Sequence, residues 1–187
     1  FDREVIDTLP YARGASYGAQ WRLLAARGVD QEGWRLGSAF RIEAATGAWD
    51  YVRAATDLSL NRAFTGTLRA TATISGGTSA GTLPVHRWWN IGGLQTVRGL
   101  RAGSMRGDAY WMGRGELTWA RVGRLQPGIF WDAGWAGDRR DFTAQPTVRT
   151  SLGGGVGLYG LPIRLDAARE TTAGARWRVN LYAPIRF

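Results

Sequence analysis

The chain has 187 residues, 44% of them hydrophobic, with 27 glycines and 10 tryptophans, yet its apolar runs are only a few residues long. A transmembrane helix, which needs about 20 consecutive apolar residues, is therefore excluded; so are disulfides and thiolate metal sites, since there is no cysteine, while a single histidine, His86, removes most imidazole chemistry. The formal net charge is +9 and all 24 basic residues are arginines, but they recur singly at alternate positions beside acids, as Arg41 with Glu43 or Arg164 with Asp166, so no nucleic-acid partner is expected.

Residues 1–13, FDREVIDTLPYAR, hold Pro10 and no sustained period; they are expected to be the end of a preceding strand or a linker. From Ala15 the period becomes two. Tyr17, Ala19, Trp21, Leu23 and Ala25 point one way, and Ser16, Gly18, Gln20 and Arg22 the other. Trp34, Leu36, Phe40 and Ile42 then alternate with Arg35, Gly37, Arg41 and Glu43. Beyond a turn at Gly47, Val52, Ala54, Thr56, Leu58 and Leu60 face away from Arg53, Ala55, Asp57, Ser59 and Asn61. Leu68, Ala70, Ala72 and Ile74 against Arg69, Thr71, Thr73 and Ser75 make a fourth strand.

A long segment, 76–107, interrupts the alternation. Its centre, 83–106, reads LPVHRWWNIGGLQTVRGLRAGSMR, too long and too glycine-rich for a hairpin turn. Five further strands follow. Trp111, Leu117 and Trp119 alternate with Arg114, Glu116 and Thr118; Ile129, Trp131, Ala133 and Trp135 alternate with Phe130, Asp132 and Gly134. Leu152, Val156 and Leu158 line one side of a glycine-rich strand, and Leu161, Ile163, Leu165 and Ala167 face away from Arg164 and Asp166. The last, Trp177 to Phe187, alternates to the end of the chain.

Nine strands of this kind fit a soluble barrel or sandwich with an apolar core, or an outer-membrane barrel with the polarity inverted. The tryptophans decide. Trp21, Trp34, Trp111, Trp119, Trp135 and Trp177 lie on the apolar face, near strand ends, where an aromatic girdle belongs. The expectation is an all-β, transmembrane antiparallel barrel over 14–187, its apolar face toward the lipid bilayer of the cell outer membrane, with a lumen loop at 76–107. Nine is odd, whereas bacterial barrels close with even strand numbers. The chain also opens at Phe1 with neither initiator Met nor signal peptide, so it is expected to be a processed product or the C-terminal part of a larger barrel.

Within the loop, Gly92-Gly93, a spacer and Val97-Arg98-Gly99-Leu100 resemble the signature of the outer-membrane assembly and two-partner-secretion barrel superfamily, also called the bacterial surface antigen family. It includes the BamA and TamA insertases and the FhaC-type secretion pores. The usual aromatic after Val-Arg-Gly is Leu100 here. Phe130-Trp131-Asp132-Ala133-Gly134 is similar to the family's Phe-x-Asp-x-Gly inner-wall motif, the strand before it carries Glu116, and the chain ends in Phe187, like the family's C-terminal assembly signal. The resemblance implies a barrel of about sixteen strands, a role in inserting or translocating proteins, unfolded clients, and POTRA domains upstream.

The residues carry a reading of their own. Arg98 on a loop tip inside a hollow needs partners, and Asp132 and Glu116, inward on adjacent strands, can both receive its planar fork. Gly99 lets the backbone turn beside the wall. Removing Arg98 would leave two carboxylates crowded together.

Other signals are weaker. Gly77-Thr78-Ser79-Ala80-Gly81 matches the patatin-like nucleophile elbow, but no helix follows and Pro84 comes soon after. Gly153-Gly154-Gly155-x-Gly157 continues as a strand, so it is read as lumen space and not as a phosphate loop. Neither catalysis, metal nor cofactor is expected. Two rival roles stay open: a barrel that anchors or displays a fused enzyme or surface domain, and a small passive pore.

Overall fold

The computed structural model describes residues 14–27, 33–119, 122, 124–144, 147–158 and 160–183. Residues 1–13 and Phe187, the expected assembly signal, lie outside the described residues. Nine antiparallel strands run in chain order through one sheet: β1 (Gly14–Arg27), β2 (Trp34–Gly47), β3 (Tyr51–Thr65), β4 (Leu68–Gly81), β7 (Ala109–Trp119), β8 (Leu125–Gly137), β9 (Arg149–Leu158), β10 (Arg164–Glu170) and β11 (Arg178–Tyr182). Among the described residues β1 and β11 are its two edges, so the barrel is not closed. Between β4 and β7 the chain makes a small hairpin of its own, β5 (Trp89–Ile91) with β6 (Met105–Gly107).

Local chemistry sets the register. At the β2–β3 turn Gly47 takes φ 118°, a conformation that suits glycine, and its N–H donates to Asp50 Oδ1 at 3.1 Å. Phe40 is thereby opposite Thr56, and the phase carries across the sheet, with Ile74 opposite Gly113. A slip of one residue would turn every apolar side chain over, so the alternation itself fixes the pairing.

The polarity is that of a membrane barrel. Large apolar side chains on one face stand open, Ile74 at 63% and Leu181 at 72% exposure among them. A soluble protein would bury such a surface. The buried apolar cluster, Ala55, Ile91, Val97, Leu100, Met105 and Tyr110, sits instead on the opposite face, where the long loop packs against the inner wall.

Three sequence expectations change. First, β4 continues through Gly76–Gly81, so the long connection opens at Thr82 and the lumen loop is shorter than 76–107. Gly77 and Ser79 keep the strand's inward parity there, and Ser79 is buried, donating to the carbonyl of Asp108. Second, Trp135 is 2% exposed and is no girdle residue. It points outward by parity, but Phe142 of the β8–β9 connection packs edge-to-face against it, centroids 5.8 Å apart. Third, Gly99 is absent from the positive-φ glycines, so its need for a bare Cα comes from close approach and not from a turn.

The connections differ at the two ends. Residues 66–67 link β3 to β4 at one end, while the other end carries the long loop and the connection 138–148. Short turns face the periplasm in bacterial outer-membrane barrels and long loops face outward. The long loop therefore enters the hollow from the outside.

Candidate functional site

The loop tip is built before it meets the wall. Gly92 and Gly93 take φ 114° and 95°, Thr96 Oγ1 accepts from Gly92 N at 2.7 Å, and Gly93 N donates to Val97 O at 3.1 Å. These bonds set Val97, Arg98, Gly99 and Leu100 side by side, all buried. Leu100, where the resembling family has an aromatic, fills the apolar cluster with Ile91, Val97 and Met105.

Arg98 is 2% exposed and each of its three guanidinium nitrogens has a carboxylate partner. Nε and Nη2 fork onto Asp132 at 2.9 and 2.8 Å, and Nη1 donates to Glu116 Oε2 at 2.8 Å. The backbone N–H of Arg98 adds a bond to Asp132 Oδ2 at 3.0 Å, so side chain and main chain hold the same carboxylate. The Phe130 ring lies flat beneath the cation, 3.4 Å from its Cζ. Burial opposes the charge, but the bonds and charges of Asp132 and Glu116 outweigh it and hold the guanidinium's pKa above its usual value.

Sequence reasoning placed two acids here; the structure brings three. Asp166 of β10 lies 3.6 Å from Arg98 Nη1. Two more arginines enter with it. Arg164 bridges Glu116 and Asp166, at 2.6 Å to each, and Arg114 approaches Asp132 at 3.5 Å while donating to the tip carbonyl of Gln95 at 3.1 Å. Tyr182 donates to Asp166 at 2.9 Å. Three cations thus face three carboxylates. The expected crowding of bare acids on loss of Arg98 is corrected accordingly, because Asp132 keeps Arg114 and Glu116 keeps Arg164. Inward parity marks Asp166, but its height relative to Asp132 follows only from the register of β8 through β10.

The glycines explain how so much fits. A Cβ on Gly99 would lie 2.5 Å from Ser151 Cβ and 2.7 Å from the Arg169 carbonyl carbon, and the Gly99 N–H donates to Ser151 Oγ at 3.2 Å. One on Gly134 would press on Val97 Cγ2 at 3.1 Å. In the glycine run, Gly153 makes room for the Phe130 ring and Gly155 for the Asp166 carboxylate. The expected lumen space is therefore filled by the partners of Arg98.

A second fastening escaped the sequence. Below the tip, Arg87 lies 3.4 Å from Glu43 of β2, which also accepts from the Tyr51 hydroxyl at 2.6 Å. Arg53 of β3 stacks on the Trp89 ring at 3.8 Å, and Trp89 leans on Tyr110 with centroids 4.6 Å apart. Single arginines on alternate positions gave no hint of which aromatic they would meet. His86 is exposed in a 3-10 turn, and no group of acids and histidines is placed to hold a metal among the described residues. The site grips a loop.

Comparison with known proteins follows the same lines. The profile of the haemolysin secretion/activation protein family ShlB/FhaC/HecB matches residues 17–160. Among solved structures, the chain is similar to BamA from Haemophilus ducreyi lacking POTRA domains 1-3, with 13% identity and a TM-score of 0.67, over 90% of this chain and 42% of that one. It is similar also to CdiB from Acinetobacter baumannii, with 16% identity and a TM-score of 0.68, over 90% of this chain and 33% of that one. The chain thus spans between a third and about two fifths of the solved chains it matches. No curated protein matches it in sequence.

Proposed function

The chain belongs to the haemolysin secretion/activation protein family ShlB/FhaC/HecB, and we propose that it is part of an outer-membrane barrel that secretes or inserts proteins, its own share in that work being to hold a lumen loop in place by Arg98. The observation that carries this reading is the fork of Arg98 on Asp132 with a third bond to Glu116, all within the hollow. Val97, Gly99, Phe130 and Gly134 shape the seat, and no catalytic step is assigned to it.

A buried ion pair of this kind is specific before it is stabilising, since desolvation offsets much of the attraction. Its use is to define two discrete positions, seated and released, for a loop lying in the path a polypeptide would take. In the seated position the loop fills the hollow beside the wall. Release would open the path for an unfolded client. The proposed partners are the outer-membrane lipid, that client, and a POTRA or other fused domain supplied by the rest of the protein.

The test uses the full-length protein in its own outer membrane. Arg98→Ala is expected to cut export or insertion of the client while the barrel still reaches the membrane, with Arg98→Lys intermediate because a point charge cannot fork. Unchanged client handling by Arg98→Ala, at equal barrel amounts, would remove the seat from function and leave an anchor or a passive pore.

A further inference from the structure

On the outer wall, among the strand residues whose side chains are described, Arg62 and Arg169 carry charge facing away from the hollow. Arg62 stands near the short 66–67 turn, hence at the periplasmic leaflet. Its guanidinium lies 4.7 Å from the Trp34 ring and 4.8 Å from the Phe64 ring, and no carboxylate pairs with it among the described residues. Two rings hold the plane of the cation and leave its N–H edge for an oxygen acceptor.

Beside it the wall is hollowed. The cross-strand partner of Arg62 on β4 is Ala70, and the same row continues through Leu117 and Ile129. Ala70, Gly115, Leu117, Ile129, Trp131 and Leu152 line a mostly apolar groove of about 440 Å³, to which Thr71, Glu116, Phe130 and Gly153 also contribute. A cation with no carboxylate partner among the described residues thus adjoins, at headgroup depth, a groove shaped for hydrocarbon.

We propose that this is a binding site for one phospholipid of the periplasmic leaflet, its phosphodiester forked by Arg62 and an acyl chain lying in the Ala70–Leu152 groove. Charge complementarity selects the occupant: a phosphate offers planar Arg a bidentate acceptor that no described residue gives it, and a chain covers surface that would otherwise meet disordered lipid. The inference rests on the outward polarity of the wall.

Native mass spectrometry of the full-length protein, taken into a nonionic detergent and offered phosphatidylglycerol, tests it. One phosphatidylglycerol is expected to persist on the wild type. Arg62→Gln should weaken that retention about tenfold, the loss of one charged hydrogen-bonded contact. Gly115→Leu should weaken it too, by filling the groove; a Cβ there meets nothing closer than Trp131 O at 3.9 Å, so the wall still folds. Heat-modifiable migration checks folding of both. Equal retention by wild type and both variants would overturn the site. Equal retention of a phosphate-free diacyl glycolipid would refute the role of Arg62, and displacement by inorganic phosphate alone would refute that of the chain.

Discussion

At the scale of single residues, glycines give the sharpest tests because each stands against a different neighbour. Gly99→Ala would drive a methyl into Ser151 and the backbone at Arg169, so it is expected to cost about 3 kcal/mol or to unseat the tip. Gly134→Ala meets the more yielding Val97 methyl and should cost about 1–2 kcal/mol. Gly113→Ala points into open lipid, with nothing within 4 Å, and should be neutral or slightly stabilising. Urea unfolding of the three refolded variants orders them; equal effects at Gly99 and Gly113 would contradict the seat. The partners of Arg98 were half legible in the sequence. Asp132 and Glu116 could be named because motif and parity agree. Asp166, Arg164 and Arg114 could not, since parity gives the side of a strand and only register gives the height.

At the scale of elements, the loop is held at two levels, and the lower one is separable. Arg53→Met keeps the aliphatic stem but loses the cation on Trp89, an interaction of about 0.5–2 kcal/mol, and leaves the Arg98 seat untouched. Trypsin added outside should then cut the loop at the exposed Arg101 or Arg106 faster than in the wild type. No change in cleavage would show that Trp89 is held by Tyr110 alone. The strands were legible because alternation survives glycine and serine. The end of β4 was not, since Gly76–Gly81 reads equally as flexible loop and as a strand whose inward side must leave room for Tyr110. Nor was the cover on Trp135, because girdle tryptophans and a tryptophan under a neighbouring connection share one sequence pattern.

At the scale of the molecule, everything depends on which face of the sheet meets lipid. Ile74 and Thr73 are adjacent on β4 and point to opposite sides. Ile74→Arg is expected to cost about 2–4 kcal/mol near mid-membrane and to reduce assembled barrel, while Thr73→Arg, facing the lumen, should be tolerated. The nine-strand pattern and its polarity were legible throughout, as they follow from a period of two and from aromatic placement; the internal packing of the loop was not, because it arises from contacts distant in sequence. The seat itself is tested most directly by a double-mutant cycle on Arg98 and Asp132, with Ala at each and at both, read by urea unfolding of the full-length protein in detergent. A coupling of about 2–3 kcal/mol, the double variant being less destabilised than the sum, is expected for residues joined by a fork. Additive losses would mean that the arginine is not held by that carboxylate inside the barrel.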